Sequence, residues 1–411
     1  MNRRQFALTG GGLLSSPLFL AAPAGTGKLT ITRVQTTEVR GVSTGKGLVL
    51  PWAPKNKPLD SRDYVITQFF TNQGVVGTTM DGEGVLKEGI GKEIQQLAEA
   101  YFVGKDPFEI ERHGTAFFQK KYPVRVFYLE LGLWDIIGKV LNQPLYRLWG
   151  AASDKVKPYA ATVHFLKTPQ ERAEDALKFY EQGFRAIKIR FHSVDPKDDL
   201  KLAEAVIRAA AGKMDVMVDA NMASSKPGDP PPVWDYAQAL YMAQALDEMG
   251  LYWLEEPLNR YAYDDLARIR KQLKKIHLAG GEGNVGMKDF ATMFAKGAYS
   301  YTQPDPVQSG TASEVHKIAT MAEAFGILFG PHHGKSGVGM MANLHLQCAA
   351  PNSGYLEYMH DPGYWSAEGF QAGFVHPYPV DKTGYVHAPT GPGLGIDWDR
   401  VFFKKHSLHF G

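Results

Sequence analysis

The strongest constraint on the fold is an alternation of short apolar runs with longer helical stretches from residue 156 onward. Roughly seven to eight alternations fit in about 200 residues, which is within the size range of a parallel (β/α) barrel. The predicted strands begin at Val156, Ala186, Val216, Tyr252, His277, Tyr299 and Gly326. This part of the chain is therefore expected to be an α/β fold of the barrel type.

Three of these runs are closed by acidic residues, which are Asp219, Glu255 and Glu282. In a parallel barrel the carboxyl ends of successive strands lie side by side at one face. Carboxylates that converge there repel each other unless a cation lies between them. Oxygen ligands without Cys or His suit Mg²⁺ best, and Mn²⁺ is possible. The sequence thus predicts a metal-dependent enzyme with these three residues as ligands.

The residues before the barrel have the pattern of an α+β domain. Strand-like runs begin at Leu29, Asp63 and Val75. Helical patterns cover 90–102 and 124–141. Residues 42–62 connect the first two strands and are rich in Gly, Pro, Lys and Trp. So long a connection indicates either a disordered segment or a functional lid.

At 411 residues the chain is long enough for two domains. The predicted boundaries are 28–150 for the α+β domain and 151–350 for the barrel. Residues 351–411 are rich in Gly, Pro and aromatic side chains, and we expect this segment to return to the first domain.

The first 24 residues resemble a twin-arginine export signal. An arginine pair at Arg3 and Arg4 precedes an apolar stretch over 7–21, and residues 22–24 offer small side chains for cleavage. Glycines and a proline interrupt the apolar stretch, which makes it a poor membrane anchor. A disordered tail is the alternative. We expect a periplasmic protein with no membrane attachment after export.

Composition excludes several classes of partner. The net charge is +2, and the basic residues are scattered, so the chain has no field that would attract nucleic acid or an anionic membrane. The single cysteine, Cys348, excludes an intrachain disulfide and a thiolate zinc site. A small-molecule ligand is the expected partner.

Two motifs near the predicted domain boundary are similar to a known family. They are Leu131-Gly-Leu-Trp-Asp-Ile-Ile-Gly-Lys139 and Pro144-Leu-Tyr-Arg-Leu-Trp-Gly150. They resemble the junction between capping domain and barrel in the mandelate racemase subgroup of the enolase superfamily. The resemblance runs from about Leu29 to the C-terminus. It implies a (β/α) barrel of modified TIM type, with a capping domain formed by the N-terminal segment and the C-terminal tail.

Further motifs follow in the order that the family has. Lys188-Ile-Arg190 lies at its lysine-motif strand, and the three acids lie at its metal-ligand strands. Gln303-Pro-Asp305 and Pro331-His332 match its Asp and His strands, and Glu357 matches its later acidic residue. The resemblance implies Mg²⁺, a carboxylate substrate and a homo-oligomer.

The family's shared step is removal of a proton next to a carboxylate, and His332 is the predicted base. Asp305 on the neighbouring strand can accept the other ring N–H, which fixes the tautomer and raises basicity. His333 is the rival, but consecutive strand residues face opposite sides. Lys188 can place a cation on the substrate carboxylate, and the alternative is a salt bridge to a metal ligand.

Arg190 departs from the Lys-x-Lys of many relatives. Arginine cannot readily take a proton, so the site has one base and a fixed cation. This favours one-sided proton abstraction followed by β-elimination. His192 shares the strand face and either protonates the leaving hydroxyl or binds substrate. Glu357 either hydrogen-bonds the enediolate or is exposed, and Asn221 and Lys335 are candidates for substrate contact.

The sequence therefore predicts a Mg²⁺-dependent acid-sugar dehydratase, a hydro-lyase that converts a 2,3-dihydroxy acid to a 2-keto-3-deoxy acid. The alternatives are a cycloisomerase, epimerase or racemase of the same superfamily, which share the enediolate. A binding protein that has lost catalysis is a rival of another class.

Overall fold

The computed structural model describes residues 27–49, 58–83, 86–223, 233–365 and 367–409. The export signal predicted at residues 1–24 lies outside these ranges, as does the middle of the 42–62 connection. Within the described ranges no helix combines the length and the apolar character needed to cross a bilayer.

The N-terminal domain is an antiparallel sheet with a group of helices. Its strands pair in chain order and are β1 (Ile31–Leu48), β2 (Leu59–Thr71) and β3 (Val76–Glu83). Its helical segments are α1 (Ile90–Phe102), α2 (Ile110–His113), a π-helical turn (Gly114–Phe118), α3 (Leu129–Val140) and α4 (Leu145–Leu148). The helix predicted over 90–102 is confirmed. Helix α3 starts later than the predicted residue 124 because residues 126–131 first form tighter turns with bonds between residues three apart.

Strands β1 and β2 extend well into the predicted 42–62 connection. Their ladder pairs Val42 with Arg62 and Leu48 with Leu59, with register shifts in between. The alternative of a disordered segment is therefore wrong for the two ends of this connection, because antiparallel pairing satisfies their backbone groups. Just beyond β1, the Val49 backbone donates to Nδ1 of His164 in the barrel at 3.3 Å.

Helix α3 lies directly on this sheet because a glycine removes the side chain at the contact. A Cβ on Gly132 would come within 2.7 Å of the Phe69 ring on β2. The helix buries most of its residues, as expected for a helix that is apolar over much of its circumference.

The second domain alternates strands and helices. After the short strand β4 (Lys155–Val156), the strands are β5 (Pro158–Ala161), β6 (Ala186–Arg190), β7 (Asp215–Asp219), β8 (Trp253–Glu255), β9 (His277–Gly280), β10 (Tyr301–Thr302), β11 (Leu328–Phe329) and β12 (Leu356–Met359). The helices that follow β5 to β11 in turn are α5 (Pro169–Glu181), α6 (Pro196–Ala210), α7 (Tyr236–Met249), α8 (Tyr263–Arg270), α9 (Gly286–Lys296), α10 (Ala312–Ala324) and α11 (Gly337–Ala349). The tail adds α12 (Ala367–Phe370), β13 (Val386–His387), which pairs with β4, and α13 (Arg400–Lys405).

Strands β5 to β12 form one parallel sheet in the order β11-β10-β9-β8-β7-β6-β5-β12. Its edges are joined where Phe329 donates to the Asn352 carbonyl at 3.0 Å and accepts from Gly354 at 2.7 Å. The predicted α/β fold, a (β/α) barrel with an α+β capping domain, is confirmed.

The boundary predicted at residue 350 needs a correction. Strand β12 lies in the segment assigned to the tail, yet it pairs with β5 through four residues and completes the sheet. The barrel therefore extends at least to Met359. Four residues followed by a Gly- and Pro-rich stretch gave too weak a strand pattern to be recognised.

Beyond β12 the tail packs on the N-terminal domain. Tyr64 on β2 donates to the Gly369 carbonyl at 2.6 Å. Gln68 exchanges two hydrogen bonds with the backbone of His409 at 2.7 and 3.0 Å. These contacts tie the hairpin of the capping domain to the chain that leaves the end of the barrel.

Side-chain caps define where the barrel helices begin. Thr168 and Thr311 form capping boxes with the glutamate three residues later, and Asp195, Asp235 and Ser336 accept bonds from the first turn. Each cap lies in the loop that follows a strand, so it also fixes the loop at the carboxyl end of that strand, where the charged side chains described below converge.

Candidate active site

The predicted site residues collect at the carboxyl end of the barrel. Lys188 and Arg190 lie on β6, Asp219 closes β7 and Glu255 closes β8. Glu282, Asp305 and His332 lie just after β9, β10 and β11, and Glu357 lies on β12. Glu357 is fully buried, so the alternative that it is exposed is wrong.

Lys188 joins the carboxylates of two strands. Its Nζ lies 2.9 and 3.1 Å from the two oxygens of Glu255 and 2.9 Å from Oε1 of Glu357. Burial opposes the charge of Lys188, but the two glutamates hold its pKa above the ordinary value. The same contact counters burial at Glu357 and lowers its pKa to about 2. The salt bridge expected as the alternative role of Lys188 is present, and it keeps the ammonium charged.

Arg190 is fixed as a cation beside Asp219. One terminal nitrogen, Nη1, contacts Oδ2 of Asp219, and Nε donates to the Thr162 carbonyl at 3.0 Å. Burial opposes its charge, yet Asp219 and Glu357 raise the pKa of Arg190 further above its ordinary value. Asn221 turns back on the same carboxylate, with Nδ2 3.0 Å from Oδ2 of Asp219. Arg190 therefore cannot act as a base.

His332 and Asp305 form a close pair. Nδ1 of His332 lies 2.6 Å from Oδ2 of Asp305, across a sequence separation of 27 residues. The other ring nitrogen, Nε2, lies 3.1 Å from Oε2 of Glu282. Burial opposes protonation, but Glu282 and the Asp305 hydrogen bond outweigh it and raise the pKa of His332. Asp305 thus orients the ring, and Nε2 is turned toward Glu282.

His333 has a different role from its neighbour. Its Nδ1 accepts a hydrogen bond from the Lys335 backbone at 2.9 Å, and its own backbone donates to Glu357 at 3.0 Å. Burial lowers the pKa of His333 well below its ordinary value, and the charge of His332 adds to this. A neutral imidazole that is already an acceptor is a structural member of the site.

His192 and Lys335 are the remaining predicted residues. Nε2 of His192 is buried and has no hydrogen-bond partner among the described residues, and its ring stands edge-on to Phe165 at 5.5 Å. Burial lowers the pKa of His192 well below its ordinary value, with Arg190 adding to the effect. Lys335 adopts a left-handed backbone with φ 62° and its charge acts on His332 and Asp305. His192 thus presents a neutral ring whose buried Nε2 has no partner in the described part of the chain.

The structure does not gather the three predicted metal ligands into one cluster. In the residues that it describes, no three His, Cys, Asp or Glu side chains are placed so as to hold a metal ion. Each predicted ligand instead contacts a side chain of the site: Asp219 contacts Arg190, Glu255 contacts Lys188 and Glu282 contacts His332. This pairing is a tertiary effect that the strand pattern does not contain.

The charges of the site nevertheless fit a cation. Burial and the neighbouring Asp219 raise the pKa of Glu255 to about 8. Burial and Glu282, followed by Asp219 and Glu255, raise the pKa of Glu256 well above its ordinary value. Four carboxylates thus act on one another in a dry region, and their oxygens are the ligands that Mg²⁺ prefers. Asp219, Glu255 and Glu282, with Glu256 beside them, would hold the ion.

Several supporting residues carry no signal in the sequence. Ser309 donates to the Glu282 carbonyl at 2.9 Å and accepts from the Asp305 backbone at 2.9 Å. Nδ2 of Asn343 on α11 donates to the His332 carbonyl at 2.5 Å. A lone Ser or Asn in a loop or helix is common, so only the fold shows that these residues position the site.

Comparison with known proteins identifies the family. Residues 37–150 match the mandelate racemase / muconate lactonizing enzyme N-terminal domain, and residues 171–401 match the enolase C-terminal domain-like family. The chain therefore belongs to the enolase superfamily, in its mandelate racemase / muconate lactonizing enzyme group, as the motifs predicted. Enzymes of this superfamily use Mg²⁺.

Named relatives match most of the chain at low identity. An arabinonate dehydratase of Saccharolobus solfataricus is 27% identical over 84% of this chain and 90% of its own length. A D-galactarolactone cycloisomerase of Agrobacterium fabrum is 26% identical over 91% of this chain and 97% of its own. A solved structure of a racemase from Streptomyces coelicolor with bound magnesium has a TM-score of 0.76 and 23% identity, covering 92% of this chain and 99% of its own.

Proposed function

We propose that this protein is a Mg²⁺-dependent sugar-acid dehydratase, a hydro-lyase. It removes the proton on the carbon next to the carboxylate of a 2,3-dihydroxy acid and eliminates the β-hydroxyl as water. The resulting enol rearranges to a 2-keto-3-deoxy acid. The observation that carries the proposal is a single imidazole base, His332 held by Asp305, in a site whose β6 strand supplies the fixed guanidinium of Arg190.

His332 takes the α-proton on Nε2. Asp305 holds Nδ1 at 2.6 Å, which fixes the tautomer and stabilises the imidazolium that forms. The C–H bond electrons become the second negative charge of the carboxylate group. Mg²⁺, when bound, supplies positive charge at those oxygens. Lys188 stays charged between Glu255 and Glu357 and adds a cation within the same buried region.

The proton that His332 takes also balances the elimination. As the double bond forms between the α- and β-carbons, the bond from the β-carbon to oxygen breaks, and the imidazolium donates its proton so that water leaves. His192 donates a hydrogen bond rather than a proton, because a neutral ring loses its N–H reluctantly.

A cycloisomerase is the second candidate, supported by the similarity to a D-galactarolactone cycloisomerase. It would use the same proton abstraction but direct the intermediate to ring opening or closure. Racemases and epimerases need a base on each face of the substrate, and Arg190 does not supply one. The product distinguishes dehydration, which yields a 2-keto acid, from isomerisation, which conserves composition.

We also propose a cellular location, a class of ligand and an oligomeric state for the enzyme. The signal expected at residues 1–24 would carry the folded protein to the periplasm. There it would act on a small hydroxylated carboxylate, as a homo-oligomer, without nucleic acid or membrane partners.

The test is a panel of aldonic and aldaric acids incubated with enzyme and Mg²⁺, with 2-keto acids measured directly. His332→Asn should lose at least about a thousandfold in kcat, because the base is removed. His387→Asn is the matched control, since that imidazole is exposed and far along the tail. If no acid yields a keto acid with Mg²⁺ or Mn²⁺, or if His332→Asn keeps its rate, the proposed function is wrong.

A further inference from the structure

A buried arginine of the capping domain reaches the catalytic end of the barrel. Arg62 on β2 is only 8% exposed. Its Nη2 donates to the Lys335 carbonyl at 3.2 Å, and its guanidinium carbon lies 4.5 Å from the centroid of the Trp365 ring. Lys335 follows His332 by three residues, so the capping domain presents this cation beside the loop that carries the base.

Arg62 has no counter-charge in the part of the chain that the structure describes. Its Nε is buried without a hydrogen-bond partner, and no carboxylate there lies within ion-pair distance of it. Asp81 acts on it from further away, but that carboxylate is held by Arg125 at 3.0 Å. Burial accordingly lowers the pKa of Arg62. The adjacent Trp365 also has a buried indole N–H with no partner among the described residues.

Two buried donors without partners in the described ranges, on side chains that contact each other, are costly for a fold. A buried donor loses its hydrogen bonds to water, and arginine cannot avoid the cost by losing its proton. A group that accepts hydrogen bonds and carries negative charge would remove this cost, because it would satisfy the donor and neutralise the guanidinium.

A chain of contacts links Arg62 to the predicted base. Arg62 donates to the Lys335 carbonyl, the Lys335 backbone donates to Nδ1 of His333 at 2.9 Å, and the centroid of the His333 ring is 3.9 Å from that of His332. A molecule whose α-carbon meets His332 would therefore bring its opposite end, not its reacting carboxylate, toward Arg62. The reacting carboxylate belongs with the buried acids and Lys188.

We propose that Arg62 and Trp365 bind the distal carboxylate of an aldaric acid, so that the substrate is a dicarboxylic sugar acid. A carboxylate accepts from both donors and neutralises the guanidinium, with the planar geometry that arginine favours. The terminal hydroxyl of an aldonic acid accepts one hydrogen bond and leaves the charge unpaired. This inference rests on the proposed function for the reaction and adds the class of acid.

The experiment compares an aldaric acid with the aldonic acid of the same chain length and stereochemistry, using the Mg²⁺-loaded enzyme. The wild type should have the higher kcat/KM for the diacid. Arg62→Met should lower the diacid-to-monoacid ratio of kcat/KM at least about 30-fold, mainly through KM, because the lost partner is a charged hydrogen bond. Trp365→Phe keeps the ring and should lower the ratio less.

Arg33→Met is the matched control. Arg33 also lies on the capping sheet and stacks on an aromatic ring, with its guanidinium 3.7 Å from the Phe70 centroid, but it is exposed. Its replacement should leave the ratio unchanged. A wild type that prefers the monoacid, or an Arg62→Met variant that loses both acids equally, would overturn the subsite.

Thermal denaturation separates binding from a purely structural role and from failure of the proposed function. Arg62→Met without ligand should keep or raise Tm, because an unpaired buried charge is removed; a lower Tm would make Arg62 structural. If no acid is turned over, the proposed reaction is wrong, but this result does not by itself decide whether Arg62 binds a carboxylate. The subsite then stands if the diacid raises Tm of the wild type but not of Arg62→Met, and falls if both respond alike.

Discussion

The clearest prediction about stability concerns Glu130, at the contact between the two domains. This residue is on α3, and its Oε2 accepts from the Ser313 backbone at 2.8 Å in the first turn of α10. Its Oε1 is buried and has no hydrogen-bond partner among the described residues. Burial raises the pKa of Glu130 to about 7 from an ordinary 4.5, although the bonds from Ser313 oppose the shift.

The raised pKa of Glu130 makes the free energy of unfolding depend on pH. A difference of about 2.5 pKa units at roughly 1.36 kcal/mol each is about 3 kcal/mol. The folded state holds the proton more tightly than the unfolded state, so this stability is fully present below pH 4.5. It is lost as the pH rises through about 7. Above that pH the protein carries a buried carboxylate whose charge is compensated only in part.

Glu130→Gln removes the charge and keeps the shape. We expect the variant to match the wild type near pH 5 and to be more stable at pH 8 by up to about 3 kcal/mol. Thermal and urea denaturation of both proteins at several pH values measure the difference. Glu204→Gln, at an exposed position on α6, is the control and should show no such trend. A Glu130→Gln variant that is less stable than the wild type at pH 8 would refute the reasoning.

Three further predictions can be checked with simple assays. Asp305→Asn should lower kcat at least about a hundredfold with little change in Tm, because the ring of His332 loses the partner that orients it; a mild effect on rate would contradict this role. Mg²⁺ should raise Tm when added to chelator-treated protein, whereas NaCl of the same ionic strength should not, because the carboxylates around Glu255 repel each other; equal responses would argue against the metal site. Thr168→Ala removes the capping box of α5 and should cost about 1 kcal/mol of stability in urea denaturation, while activity is retained; no loss would mean that the cap is not needed.

The barrel could be predicted because its strands are self-contained patterns. The runs ending at Asp219 and Glu255 are apolar, of strand length and followed by helices, so their order in the sheet follows from the chain. Strand β12 was missed because its identity depends on pairing with β5, almost 200 residues earlier in the sequence. The ends of the 42–62 connection were misjudged for a similar reason, since Val42, Ser43 and Leu48 are paired with residues of the partner strand that lie 11 to 20 positions further along the chain.

The positions of site residues could be predicted where they follow from the order of the strands. They could not be predicted where they depend on which side chains form ion pairs or hydrogen bonds. The 27-residue spacing of Asp305 and His332 is one strand-helix unit, and the structure brings them together. No pattern indicates that Lys188 holds both Glu255 and Glu357. The position of Arg62 could not be predicted either, because its contact with Lys335 joins two domains across a sequence separation of 273 residues.

The central claim is that one imidazole, and no second base, removes the α-proton. The most direct measurement uses a 3-deoxy analogue of a substrate, which has no β-hydroxyl to lose, with Mg²⁺-loaded enzyme in D₂O. Proton NMR of the α-position should show exchange for one configuration at carbon 2 and none for the other. His332→Asn should abolish the exchange. Exchange at both configurations, or exchange that persists without His332, would contradict the account.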